Sequence, residues 1–567
     1  MSHFFDRLDE STPDTDPADR DWVYVPYDQL TDAVGPLSRR PPAQTGILMV
    51  ETTWKGDRRP YHARKLGLIL ANQRHFALEQ AERGFAVRYL VDDRRYGRVL
   101  AEEAAELGTL TVMRPAEREL RADLAPLVDS GDLRVVDHEG WLTSRRQFRE
   151  SQQEGPPWRM DRFYRRLRRD TGLLMEDGTP EGGQYSHDGD NREFWPGDPP
   201  APTPPTFEPD PITREVAEIV RDEFGHHPGR LVAERLPATS EHAERTWKWA
   251  LEECMEHFGP YEDAMSRHSR TLFHTRISPL LHLHRLLPER VVRDVASAEA
   301  PINSREGFIR QVIGWREFMR HVHREIDGFR ELPGDYSRRA YEGKAGRSER
   351  PGDGGWSDWS GRTWPSPKDR PPAELDGGAR PNALDYDLDL PPAYWGESSG
   401  LACLDEVVDG VWDEGWSHHI TRLMVLANIA TLLDVDARQL TDWFWVAYAD
   451  AYDWVVEPNV LGMGTFALGD LFTTKPYVSG ANYIDGMSDY CESCRFDPDE
   501  NCPLTSMYWA YLDRHEEELD GNRRLGLMLH QMRERGDEQR RRDRRIWRTA
   551  RETLAEGDEL EPPLLED

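Results

Sequence analysis

The residues that could do chemistry crowd into 400–510. Cys491 and Cys494 are separated by two residues, Cys502 follows with Pro503 directly after it, and Cys403 lies far upstream. Four thiolates can hold zinc or an iron–sulfur cluster, and a closing Cys–Pro resembles cluster ligation more than a zinc ribbon. In GWSHHITRLMVLANIATLL, His418 and His419 are adjacent and Arg422 follows one helical turn on, among apolar residues at helical spacing. Two imidazoles and a guanidinium on such a helix need partners. They are either satisfied core groups or acid–base groups facing a site. A third segment, WFWVAYADAYDWVVEPNVLGMGTFALGD, gathers Trp443, Trp445, Tyr448, Tyr452 and Trp454 around Asp450 and Asp453. That composition suits an aromatic helical core, or an aromatic pocket and electron path beside a redox cofactor.

The elements that must position these groups form two kinds of pattern. Residues 21–150 alternate strand and helix: DWVY, TGILMVE (45–51), FAVRYLV (85–91), TLTVM (109–113) and LRVVD (133–137) are short apolar runs. The amphipathic ARKLGLILANQRHFALEQAERG, stopped by Gly84, lies between the second and third. Buried runs alternating with helices predict an α/β doubly wound parallel-sheet domain. Asp28, Gln29 and Glu51 then sit at strand ends facing the switch-point crevice, as ligand contacts or as ordinary loop polars. Residues 151–225 lose the rhythm, and their Gly-, Pro- and Asp-rich stretch predicts an interdomain linker. Helical periodicity predicts an all-helical domain over 226–530, interrupted at 332–387 by a Gly-, Pro-, Ser- and Arg-rich loop insertion placed on the surface. A charged tail follows at 531–567, read as a charged helix (RERGDEQRRRDRRIWRTARETL) with an acidic end.

With 104 acidic and 72 basic residues the net charge is -32, which by itself argues against a nucleic-acid partner. Basic clusters survive locally, as in Arg162–Arg169, and net charge speaks to solubility rather than fold. No apolar run is long enough to span a membrane, and the acidic N-terminus has no apolar h-region, so the cytoplasm is the expected location.

The chain resembles the iron–sulfur bacterial cryptochromes and photolyases, the photolyase-related proteins. The likeness is carried by HHITRLM, YADAYDWV-x-x-PNV-x-GM, TKPY and NYI-x-x-MSDYC-x-x-C. It extends through INSREGFIRQVIGWREFMR (302–320), FGPYEDAMSRHSRTLFHTRISP (258–279) and FYRRLRRDTGLLM (163–175), and weakly to YDQL (27–30) and RHFALE (74–79). Most of 21–525 is covered, without the insertion.

The resemblance implies an N-terminal antenna-type domain and a helical C-terminal domain that binds FAD. It implies light-driven repair of (6-4) pyrimidine photoproducts in UV-damaged DNA by electron transfer from excited reduced FAD, in a monomer. The alternative is a cryptochrome-type blue-light photoreceptor without repair activity. By the same resemblance Thr275, Arg276 and Ser278, with Tyr261 upstream, meet the FAD phosphates. Trp315 and Arg316 form the flavin and lesion wall, and Asp450 is the acid near the flavin. Cys403, Cys491, Cys494 and Cys502 ligate a 4Fe–4S cluster, and Trp395 and Trp443 carry electrons. His418 is the proton donor, His419 positions the lesion and Arg422 holds both, with Tyr477 and Tyr483 as pocket tyrosines. A 6,7-dimethyl-8-ribityllumazine antenna is the implied use of Asp28, Gln29 and Glu51. Two positions depart from relatives: Phe444 replaces a possible Tyr, and Val456, beside Glu457, stands where an Asn or Glu faces flavin N5.

Overall fold

The computed structural model describes residues 2–13, 19–341 and 378–562. Five strands, β1 (Asp21–Tyr24), β2 (Thr45–Thr52), β3 (Ala86–Asp92), β4 (Leu110–Met113) and β5 (Leu133–Val136), pair in the order β3-β2-β1-β4-β5, all parallel. Helices Ala63–Glu82, Tyr96–Leu107 and Arg118–Ser130 make the crossovers, so the sheet is covered by helices. Ile47, Leu48 and Met49 of β2 are buried in succession, and a strand buried on both faces needs such an unbroken apolar run. The order reverses between β1 and β4, and the crevice at the carboxyl ends of the strands opens there. The predicted α/β sheet and helical remainder are both present.

Two segments differ from the sequence expectations. The stretch read as a linker contains two helices, Met160–Thr171 and Pro211–Glu223. The second is capped by Asp210 and packs on Ala63–Glu82, with Val216 beside Ala71 in one apolar cluster. Within the segment read as a surface loop insertion, helix Asp335–Tyr341 forms, and Ala340, Ala379 and Tyr386 are core residues. Tyr386 donates its hydroxyl to Thr465 O at 2.7 Å. The centre of that insertion, 342–377, lies outside the described residues. The charged tail is a packed helix, Asp537–Glu556, whose Ile546, Ala550 and Leu554 join the main core while Arg540 and Arg544 both pair with Asp513. Among the described residues no helix is long and apolar enough to cross a membrane.

The two halves share one interior. Tyr452 and Trp454 of the helical part belong to the apolar cluster beneath the sheet. Lys65 on the first crossover helix donates to the carbonyls of Trp445 and Ala451, at 3.1 and 2.5 Å.

Candidate functional site

A cavity of about 330 Å³ lies inside the helical part. Three of its walls are stretches of π-helix: Arg310–Arg316, Thr421–Ala427 and Pro458–Gly464. A π turn inserts a residue into a helix and re-aims the side chains around it, which is why such turns gather at functional sites. Trp315 and Arg316 enter from the first, Arg422 from the second, and Asn459 and Met463 from the third. The loop Thr275–Ser278 closes one side, and His274, His418 and His419 form the polar rim.

Of the expected cofactor contacts, Thr275, Arg276, Ser278, Trp315, Arg316 and Asp450 all line this cavity. Arg276 adopts φ 55°, a left-handed conformation that costs a non-glycine residue about 1 kcal/mol or more. Its guanidinium pairs with Glu414 at 2.5 Å and lies over Trp416. Tyr261 is not among the lining residues; it stacks on Phe273 with ring centroids 5.3 Å apart. Asp450 is fully engaged by this chain's own groups. Arg422 approaches both carboxylate oxygens at 3.0 Å, and Ser278 Oγ donates at 2.6 Å. Burial would raise Asp450, but Arg422 overrides it and holds the carboxyl below its ordinary range. Val456 also lines the cavity, whereas Glu457 turns away, 2.8 Å from His323 Nε2 and 2.7 Å from Arg438 Nη1. Burial opposes that charge, yet the two partners lower Glu457 to about 2.

The adjacent histidines have opposite surroundings. His418 is buried and lies flat against His274, centroids 4.3 Å apart and planes 10° apart. His418 Nδ1 and His274 Nε2 have no hydrogen-bond partner. Burial, then the neighbouring imidazoles and Arg422, push His418 well below the ordinary histidine range. His419 leaves 42 % of its side chain open, with Nε2 3.4 Å from Asp263 Oδ1. Burial opposes its charge too, but the hydrogen bond and charge of Asp263 win, and its pKa is raised. Asp263 also accepts from the Tyr483 hydroxyl at 3.0 Å. Tyr477 and Tyr483 do not line the cavity, and Tyr483 reaches it only through Asp263. Sequence reasoning missed Asp263, His274 and Asn459. FGPYEDAMSRHSRTLFH contains the first two, yet nothing in its spacing points toward His419.

A row of indoles runs out from the cavity. Phe444 lines it, Trp443 meets Phe444 at 5.2 Å, Trp412 meets Trp443 at 5.8 Å, and Trp395 stacks on Trp412 at 5.5 Å. Trp412, unremarked in the sequence, bridges the two expected tryptophans, and Trp412 and Trp443 both donate Nε1 to Tyr394 O.

The four cysteines converge from three segments. Cys403 lies in the first turn of helix Ala402–Glu414, Cys491 and Cys494 lie on and just after the turn Tyr490–Ser493, and Cys502 caps helix Pro503–Arg514. Burial and then the three other thiols push Cys403 far up, and burial takes Cys491 and Cys502 to about 12. Among the described residues no three of these sulfurs lie within 4.8 Å of one another. A single tetrahedral zinc, with Zn–S near 2.3 Å, would draw them to about 3.8 Å.

At the strand ends, Asp28 leaves both carboxylate oxygens without a partner, and burial followed by Glu117 lifts it to about 7. Gln29 Nε2 is spent on Met113 O at 2.9 Å. Glu51 faces a crevice of about 120 Å³, with Arg74 at 2.7 Å and the Tyr89 hydroxyl at 2.6 Å already on its oxygens. In the basic run Arg162–Arg169, Arg168 is buried on the carbonyls of Leu173 and Leu174, and Arg165 and Arg166 pair with Asp161 and Asp170. Arg162 and Arg169 remain exposed.

Residues 23–236 match the family model of the deoxyribodipyrimidine photo-lyase-related protein. Over 521 residues the chain is 31% identical to a (6-4) photolyase of Agrobacterium fabrum, covering 89% of this chain and 93% of that one. An uncharacterised protein of Acanthamoeba polyphaga mimivirus is 31% identical over 104 residues, 18% of this chain and 81% of its own length. A bacterial class III photolyase from Agrobacterium tumefaciens superposes with a TM-score of 0.51 at 14% identity, covering 96% of this chain and 98% of its own.

Proposed function

This chain belongs to the photolyase-related family, and we propose that it is a light-driven DNA-repair enzyme acting on (6-4) photoproducts, with FAD in the helical cavity and a 4Fe–4S cluster on the four cysteines. FAD, when bound, supplies a light-driven electron to the lesion. The residues on the walls fit it. Thr275 and Ser278 offer hydroxyls, Arg316 brings a buried Nε without a partner, and Trp315, Val456 and Phe444 supply apolar surface. Arg276 reaches an anionic group there in competition with Glu414. The cysteines fit a cluster because the buried Cys403 resists ionisation among the other thiols unless a cation compensates it, and no three of the sulfurs lie as close together as one zinc ion would draw them. An antenna chromophore in the strand-end crevice would meet Glu51, Tyr27 and Lys55, while Asp28 does not line that crevice and Gln29 is already committed.

One observation carries the lesion chemistry: His419, open at the rim, has its pKa raised by Asp263, while burial pushes His418 well below the ordinary histidine range. General acid catalysis requires a donor that holds its proton near neutral pH. These surroundings favour His419 as the acid in place of His418, to which the resemblance gave that role, with His418 stacked on His274 as the wall that orients it. Arg422 ties the pair to the cavity floor through Asp450 and Ser417 O. The base must leave the duplex to reach this rim.

The test is repair of a (6-4) oligonucleotide by the reduced holoprotein under blue light and in darkness. Repair confined to the illuminated sample is expected. A protein that photoreduces fully and binds the lesion but repairs nothing is instead a photoreceptor.

A further inference from the structure

A second cleft, of about 510 Å³, lies across Trp141 from the flavin cavity. Trp141 lines this cleft, while its ring meets Arg316 at 3.9 Å and Trp454 at 4.9 Å, both cavity residues. One wall follows the carboxyl ends of β4 and β5, where open α/β sheets take ligands, and the other is helix Glu317–Glu325. Six arginines line it, Arg114, Arg121, Arg145, Arg146, Arg320 and Arg324, against one acid, Asp137. In a chain of net charge -32 that is a local reversal of sign.

Not all of these arginines are spent. Arg145 pairs with Glu325, Arg146 with Glu150 at 3.8 Å and Arg320 with Glu317 at 3.2 Å, Arg320 Nη2 also donates to Thr143 O at 2.8 Å, and Arg121 donates to the carbonyls of Pro115 and Ala116. Arg324 and Arg114 meet no carboxylate within 4.0 Å among the described residues, and the Nε atoms of Arg114 and Arg320 are buried without a hydrogen-bond partner. Buried donors left unpaired cost free energy, and guanidinium groups massed without a counter-charge repel one another. Burial, then Arg114, Arg320, Arg121 and Arg145, lower Arg324 to about 10. An anion with several oxygens removes both costs at once, and the guanidinium fork matches phosphate.

We infer that this cleft is a binding site for a small, multiply charged phosphate anion, of the pyrophosphate or nucleoside-polyphosphate class. Its volume falls in the range of small-ligand sites, and its recessed position between sheet and helix suits a compact ligand rather than a duplex. The site is independent of the flavin chemistry proposed above.

Calorimetric titration of the holoprotein with pyrophosphate, with ATP and with undamaged duplex DNA, in low-chloride buffer, tests it. Pyrophosphate or ATP should bind, and Arg114→Gln and Arg324→Gln should each weaken that binding at least about tenfold, the scale of a lost charge-assisted hydrogen bond. Arg324→Lys should fall between wild type and the glutamine variant. Equal affinity for the two ligands means that phosphate alone is read, and tighter ATP means that the base is read as well. The ligand should also raise the melting temperature of wild type and not of Arg324→Gln, a readout that holds where titration heats are small. Absence of binding by both phosphates, binding undiminished in the variants, or a loss seen only for duplex DNA would each overturn the inference.

Discussion

The cysteine cluster and the histidine rim are both knots of ionisable groups buried in the helical half, and they settle their charge in opposite ways. Cys403 has the three other thiols around it, and burial drives Cys403, Cys491 and Cys502 away from the thiolate form. His419 and Arg422 have carboxylates supplied by the chain, Asp263 and Asp450. A knot that only a bound metal can neutralise couples folding to the metal. A knot that the chain neutralises by itself is preformed and can be altered without loss of fold.

The largest effect that follows is on the first knot. Cys491→Ala should leave a protein that binds iron poorly and melts far lower or aggregates. The loss should approach a domain's whole stability, on the order of 5–15 kcal/mol, since the proposed cluster would join Ala402–Glu414 to Pro503–Arg514. Iron and sulfide analysis with thermal melts checks it. Stoichiometric zinc with an unchanged melt would erase the contrast between the two knots.

At the second knot the fold should survive and the chemistry should not. His419→Gln should reduce (6-4) repair by about 10²–10⁴-fold, the usual scale of a general acid, with flavin content and melting temperature near wild type. His418→Asn should cost repair less. Equal losses in the two variants would return the acid role to the pair as a whole.

The pH response sharpens the distinction. His419 has its pKa raised in the folded protein, so its protonated form is complete at low pH and is lost as pH rises through that raised value. Repair should fall on the alkaline side. Asp263→Asn removes the partner that raises it, so the fall should begin at lower pH. A repair profile that does not move would mean that Asp263 only anchors Tyr483.

How far these knots are legible in sequence depends on what holds them. The strands of the sheet were readable because β2 must be apolar on both faces, and the cysteines because thiols are rare and their purpose is narrow. The histidine roles were not. They turn on Asp263, which reaches His419 from a distant segment, and on the π turns that aim Arg422 and Asn459 inward, for which the helical period has no mark. The tail Asp537–Glu556 was legible as a charged helix, but its packing was not, because its arginines outnumber the apolar residues it buries while two of them pair with the buried Asp513.

The smallest effect expected is at Trp412, and it separates the cavity's electron supply from its acid chemistry. Trp395 and Trp443 were expected on the electron path, but the ring that each of them touches is Trp412, at 5.5 and 5.8 Å. A path from the outer indole to Phe444 at the cavity wall therefore runs through it. Trp412→Phe keeps an aromatic ring in the packing and gives up the Nε1 bond to Tyr394 O, a net cost of about 1 kcal/mol. Photoreduction of the oxidised flavin should slow, by less than in Trp443→Phe, because Trp443 lies one contact nearer the cavity. Repair by protein reduced chemically beforehand should be unchanged, since His419 and Asp263 do not touch this row. The measurement is the bleaching rate of flavin absorbance under blue light, set beside repair by the pre-reduced protein. An unchanged bleaching rate would send the electrons past Trp412, and a parallel fall in both would tie the indole row to the rim rather than to the supply.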